Sequence, residues 1–251
     1  MGCKSMGIIK KVSSTDQIIE YILGQIREKK LCPGDQLMNE RAFSEVLGVS
    51  RIPLREAISA LSILGIVEAH QGAGTFVRSY DPSMLAKVMR IYAILDDVSM
   101  HDIFELRAII ESQSARIAAE RAEPEELLAI EDSLRECEET LRKIPQLYRN
   151  AEDGIHLFNR FNHFHNRIAD CTHNKFMQQF MDSIRLLSLE YLSMDIQKNP
   201  NILEALHSAF EEHTEVYRRI RAKDGEAAAE AMYHHLINEY TSIQSRVEQK
   251  P

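Results

Sequence analysis

Three histidines are placed to do chemistry. His165 lies beside an apolar stripe of Phe158, Phe161, Phe164 and Ile168. His213 shares a face with Leu206, Phe210, Val216, Tyr217 and Ile220, and His235 follows Ala228, Ala231 and Met232. Helical spacing would turn each imidazole inward. Three inward imidazoles from separate helices suit Zn²⁺, Ni²⁺ or a similar borderline divalent ion. The same pattern also fits hydrogen-bonded core histidines, or histidines that hold an organic ligand directly. His156, His163, His173, His207 and His234 read as surface or supporting residues, with His163 or His207 able to join the cluster if a helix is distorted. A three-histidine metal with an open position can activate water, so a metal-dependent enzyme using His165, His213 and His235 is the competing reading. Against it, the chain has no HExxH helix and no obvious general base placed beside the cluster. Arg107 stands four residues before Glu111, the spacing of an intrahelical ion pair worth a few tenths of a kcal/mol.

A second set of residues suits a different task. Arg51 and Arg55, four apart, open a helix whose other face carries Leu54, Ile58, Leu61 and Leu64. Gly48-Val49-Ser50 is the turn before it: glycine supplies backbone freedom and Ser50 is expected to cap the helix. Pro53 falls in the first turn, where its missing N–H costs little. A helix presenting arginines at its N-terminus after such a turn is how a helix-turn-helix enters a major groove. Ile66–Ala69 and Thr75–Val77 then flank His70-Gln71-Gly72-Ala73-Gly74 as two short strands of a wing.

These residues need scaffolding, and 251 residues allow two modest domains. No apolar run reaches the ~18 residues of a membrane span, and Lys10 and Lys11 interrupt any signal-peptide core. The four cysteines, Cys3, Cys32, Cys137 and Cys171, have no paired spacing, which favours a reducing cytoplasm over a disulfide framework. Through Tyr80 the chain carries 10 basic and 8 acidic residues, leaving 20 and 30 for the rest. The overall charge of −8 therefore belongs to the second half and is compatible with a locally basic reading face in the first.

Met1–Ser13 is polar and reads as mobile. Ser14 or Thr15 can cap a first helix striped by Ile18, Ile22 and Ile26. Beyond a linker containing Asp81-Pro82, helices are expected near 85–95, 99–121, 124–143, 147–171, 174–197, 200–222 and 224–247, with Pro145, Asn174, Pro200 and Asp224-Gly225 as separators. The fold class is mainly α: an N-terminal winged helix-turn-helix over 1–78, a linker over 79–84, and a C-terminal all-α helical bundle over 85–251.

PGDQL at Pro33–Leu37, followed by NERAFSEVLGVSRIPLREAI and GAGTFV, resembles the winged-helix domain of GntR-type bacterial transcription regulators. FELRAIIESQSARIAAERA (Phe104–Ala122), FHNRIADCTHN (Phe164–Asn174) and EEHTEVYRRIRAKDGEAAAEAMYHHL (Glu211–Leu236) resemble the effector-binding domain of the FadR-type branch. Together they span nearly the whole chain. The resemblance implies a ligand-responsive cytoplasmic repressor that binds a palindromic operator in double-stranded DNA as a homodimer and senses a small carboxylate. It implies that Arg41, Arg51 and Arg55 read bases or grip phosphate, that Ser50 anchors the recognition helix, and that His70 with Gly72 places the wing in the minor groove. It gives His165, His213 and His235 to a divalent metal such as Zn or Ni. The family usually has Asp, sometimes Asn, four residues before the first histidine. Here that residue is Phe161, which leaves Asn162 as the substitute fourth ligand. Arg107 matches an arginine that often faces the effector cavity, where a guanidinium suits a carboxylate.

Overall fold

The computed structural model describes residues 14–147, 151–196 and 202–247; residues 1–13, expected to be mobile, lie outside them. The chain divides into two compact units, Met1–Met84 and Leu85–Pro251.

In the first unit, α1 (Ser14–Arg27), α2 (Glu40–Leu47) and α3 (Arg51–Ile63) precede a hairpin of β1 (Val67–His70) and β2 (Gly74–Val77). The two strands are antiparallel, with Val67 opposite Val77 and His70 opposite Gly74. Ile18 and Ile22 of α1 meet Leu54, Ala57 and Leu61 of α3 in a core closed by Phe43, Val67 and Val77. Asn39 starts α2 by accepting a hydrogen bond from the Ala42 N–H at 2.9 Å. Gly48 ends it at φ 64°, a left-handed turn that glycine adopts without strain. Three expectations are corrected. Thr15 does not cap α1, because the helix already runs from Ser14; its hydroxyl donates to Glu56 at 2.8 Å. Ser50 occupies the N-cap position of α3 but makes no capping hydrogen bond. Leu64 is exposed, since α3 stops at Ile63 and helical spacing no longer governs it; Ala57 fills the buried face.

The regular elements described in the second unit are all helices: α4 (Pro82–Leu95, whose first three residues belong to the first unit), α5 (Met100–Arg121), α6 (Pro124–Leu147), α7 (Ala151–Asp170), α8 (Lys175–Ile196), α9 (Ile202–Arg221) and α10 (Gly225–Val247). Helix α4 begins inside the segment expected to be linker, because Asp81 accepts the Ser83 N–H at 2.9 Å and proline suits a first helical position. Helix α6 continues through Pro145, expected as a separator, to Leu147; proline near a helix end leaves only one backbone bond unmade. Ser99 and Asp102 form a reciprocal capping box on α5, and Asn174 and Asp224 accept backbone N–H groups where α8 and α10 start. Helix α5 packs along α10, which packs on α9, while α7 lies against α6 and α8. One apolar cluster joins Ala108, Ala115, Phe164, Ile168, Val216 and Met232. A second joins Phe104, Cys137, Leu141, Phe161 and Leu206.

Candidate metal centre and nucleic-acid interface

The three expected histidines come together. His165 of α7, His213 of α9 and His235 of α10 are all buried. Their Nε2 atoms form a triangle with sides of 3.1 Å (His165–His213), 3.1 Å (His213–His235) and 3.3 Å (His235–His165). At metal–nitrogen bonds of ~2.1 Å, octahedral angles separate ligand nitrogens by ~3.0 Å and tetrahedral angles by ~3.4 Å. The observed sides fall between these values, so the residues fit a divalent ion bound on one face of its coordination sphere.

Hydrogen-bond accounting points the same way. His165 Nδ1 lies 2.6 Å from Glu111 Oε2 in a close, poorly aligned contact, and His235 Nδ1 lies 2.8 Å from Glu212 Oε2. A proton on each Nδ1 leaves two Nε2 lone pairs converging on one point, and His213 can place at most one proton between them. Burial pushes the His165 imidazole down to about 4, with Glu111 partly opposing. His213 is held well below the ordinary range by burial, then by His235 and His165. Neutral imidazole is the form that ligates metal.

Phe164 and Phe161 wall the cluster. Phe164 stacks on His213 with ring centres 4.2 Å apart, and Phe161 lies 5.9 Å from the same ring. Asn162, the expected substitute ligand, is half-buried and makes no hydrogen bond to the imidazoles among the described residues. His163, His173, His207 and His234 are exposed, so His163 and His207 do not join the cluster; the His156 side chain lies outside the described residues.

Beside the histidines is a buried charge network that sequence spacing alone did not reveal. Arg107 is 1% exposed. Its Nε donates to Glu111 Oε1 at 2.9 Å, Nη1 lies 3.6 Å from Glu239 Oε2, and Nη2 has no partner among the described residues. Arg185 of α8 reaches Glu111 Oε2 at 3.5 Å and the His165 carbonyl at 3.2 Å, and donates to Asn166. Burial pushes the Glu111 carboxyl up, but Arg185, His165 and Arg107 outweigh it and hold the group well below the usual carboxylate range. The available signal was position: Phe104, Ala108, Glu111, Ala115 and Ala118 alternate four and three apart, which puts Glu111 on the buried stripe of α5.

In the first unit, Arg41, Ser50, Arg51, Arg55, His70 and Gly72 are all exposed. Arg51 has no hydrogen-bonding or ion-pair partner among the described residues. Arg55 Nε pairs with Glu40 Oε2 at 2.6 Å, and Arg41 with Glu45 at 3.2 Å. In the wing, Gly72 has φ 77°, and His70 contacts Glu68 Oε1 at 2.9 Å and the edge of Phe76.

Residues 14–77 match the model of bacterial regulatory proteins of the gntR family, and residues 102–238 match the FCD domain. The chain belongs to the GntR family and carries an FCD domain. It is 28% identical over 218 residues to the HTH-type transcriptional regulator LutR of Bacillus subtilis, covering 85% of this chain and 93% of that protein. It is 29% identical over 238 residues to the putative L-lactate dehydrogenase operon regulatory protein of Escherichia coli, covering 91% and 86%. A solved Streptococcus agalactiae GntR structure superimposes with a TM-score of 0.65 at 25% identity, covering 91% of this chain and 99% of that one. These relatives are transcription regulators, and this GntR-family chain is a DNA-binding regulator with a ligand-sensing FCD domain, not an enzyme. The gntR match contains all six exposed residues, and the FCD match contains the three histidines, Arg107, Glu111 and Arg185. No helix of the described residues is long and apolar enough to cross a membrane.

Proposed function

We propose that this regulator is a cytoplasmic repressor that binds a palindromic operator as a homodimer and responds to a small carboxylate held in its FCD domain. In this reading His165, His213 and His235 hold a divalent ion such as Zn²⁺ or Ni²⁺, which supplies positive charge and open positions for an anionic ligand. The observation that carries it is the convergence of three buried Nε2 atoms within 3.1–3.3 Å of one another. Arg107 supports the carboxylate: a buried guanidinium with an unpartnered Nη2 suits an anion that can accept from it.

The DNA-facing half of the proposal rests on the exposed arginines and on Ser50, whose uncommitted hydroxyl is free to donate to phosphate. Arg41, Arg51 and Arg55 read bases or grip phosphate, while His70 and Gly72 carry the wing into the minor groove. For the homodimer, Val88, Ile91, Tyr92 and Leu95 of α4 are exposed at spacings of three and four residues, alongside exposed Leu106 and Ile109 of α5. An apolar stripe of that kind is a common mark of an interface, and a two-fold pair of reading helices calls for a two-fold operator.

The E. coli relative's name makes L-lactate the first carboxylate to test. Metal analysis of the purified full-length protein, followed by calorimetry with L-lactate and a panel of other small carboxylates, is the deciding experiment. Bound Zn or Ni with saturable carboxylate binding that weakens on chelation is expected. A protein that takes up no divalent metal would overturn the metal centre.

A further inference from the structure

We infer that Glu111 and Glu212 are positioning residues for the metal ligands, each holding one imidazole with its Nε2 lone pair turned inward and together answering the ion's charge from outside the ligand ring. The inference rests on reading the three histidines as a metal centre. Its basis is that, among the described residues, the converging ligand atoms come from histidines alone, while the aromatic rings of Phe161 and Phe164 occupy the side next to His213. A divalent charge in so buried a site is costly unless anions stand near it. The carboxylates that do stand near it lie behind the imidazoles. Glu111 Oε2 lies 2.6 Å from His165 Nδ1, and Glu212 Oε2 lies 2.8 Å from His235 Nδ1. Among the described residues His213 has no such carboxylate; its Nδ1 and that of His165 are both buried without an aligned hydrogen bond. Of the two, only His165 Nδ1 has a carboxylate within reach.

The two carboxylates are not equivalent. The side chain of Glu212 is one-quarter exposed at 25%, and its second oxygen accepts from Asn238 at 2.8 Å. Glu111 is buried, and its second oxygen holds Arg107 Nε at 2.9 Å. One buried carboxylate thus orients a metal ligand and the anion-facing arginine together. Glutamine at either position keeps the shape, removes the charge and can present an amide N–H to Nδ1. That favours the tautomer with its proton on Nε2, which cannot ligate.

The test uses full-length wild type, Glu111→Gln and Glu212→Gln. Zinc affinity is measured by competition with a chromophoric chelator, melting is followed in excess chelator, and histidine ¹⁵N spectra of the metal-free proteins report tautomers. Expected are Nδ1–H tautomers at His165 and His235 in wild type, and zinc affinity lowered about 10–100-fold in each variant, with Glu212→Gln melting near wild type when metal-free. A purely structural carboxylate would lower the melting temperature without this loss of zinc affinity. Unchanged zinc affinity in Glu212→Gln, or Nε2–H tautomers at both histidines in wild type, overturns the inference. Should Glu111→Gln fail to fold, the Glu212→Gln result and the wild-type tautomers decide it. Wild type that takes neither zinc nor nickel sinks the metal reading itself, while the tautomers still report on the two glutamates.

Discussion

His213 sits at the centre of the candidate site, with Nε2 within 3.1 Å of both other imidazoles and a ring stacked on Phe164. His213→Ala is expected to abolish retention of zinc or nickel through dialysis, read by metal analysis; full retention would exclude His213 as a ligand. On the DNA side, Arg51→Ala separates two roles. If Arg51 reads a base, operator affinity falls by about 1–3 kcal/mol and discrimination at one base pair relaxes. If it grips phosphate, affinity falls on every sequence and the salt slope drops by about one. Anisotropy titrations at several salt concentrations distinguish these, and unchanged binding for both Arg51→Ala and Arg55→Ala would refute the docking of α3. The histidines were readable from spacing because each repeats among apolar neighbours on its own helix. Arg185 was not, because its importance comes from Glu111 and His165, 74 and 20 residues away.

At the scale of elements, α5 positions Arg107 and Glu111, and its start is fixed by the Ser99–Asp102 capping box. Ser99→Ala is expected to lower stability by about 1 kcal/mol, measured by chemical denaturation. The Ser99 hydroxyl and N–H hold the Asp102 carboxyl below its ordinary range. Its contribution is therefore complete above the ordinary carboxylate pKa and is lost as pH falls through the lowered value. The acid limb of the stability curve should shrink in Ser99→Ala. The exposed stripe on α4 makes a second prediction: Ile91→Asp with Leu95→Glu should yield monomer in sedimentation equilibrium, with operator affinity falling accordingly. A dimer of undiminished stability would locate the interface elsewhere. Element types followed from periodicity, whereas Pro145 within α6 and the helical start at Pro82 depended on local backbone bonding that composition does not encode.

For the whole molecule, regulation requires that occupancy of the FCD domain favour one arrangement of the DNA-reading units. Operator affinity measured with metal-loaded protein, with and without a carboxylate found by calorimetry, should differ by about 5–150-fold. Equal affinities in all states would leave the centre a purely structural clamp. The uneven charge fits this division of labour. A reading unit near neutrality avoids strong non-specific phosphate attraction, which in the proposed reading leaves specificity to Arg41, Arg51, Arg55 and the wing.

What the sequence determined by itself was local. The gntR pattern, the helical periods and the inward face of each histidine all depend on neighbours within a few turns. Tertiary structure alone decided that three Nε2 atoms from α7, α9 and α10 meet within 3.3 Å, and that Glu111 and Glu212 stand behind two of them. It also decided that the Arg107–Glu111 pair is a buried charge rather than a solvated one. Those facts come from helix packing, which brings together residues that no single helical period connects.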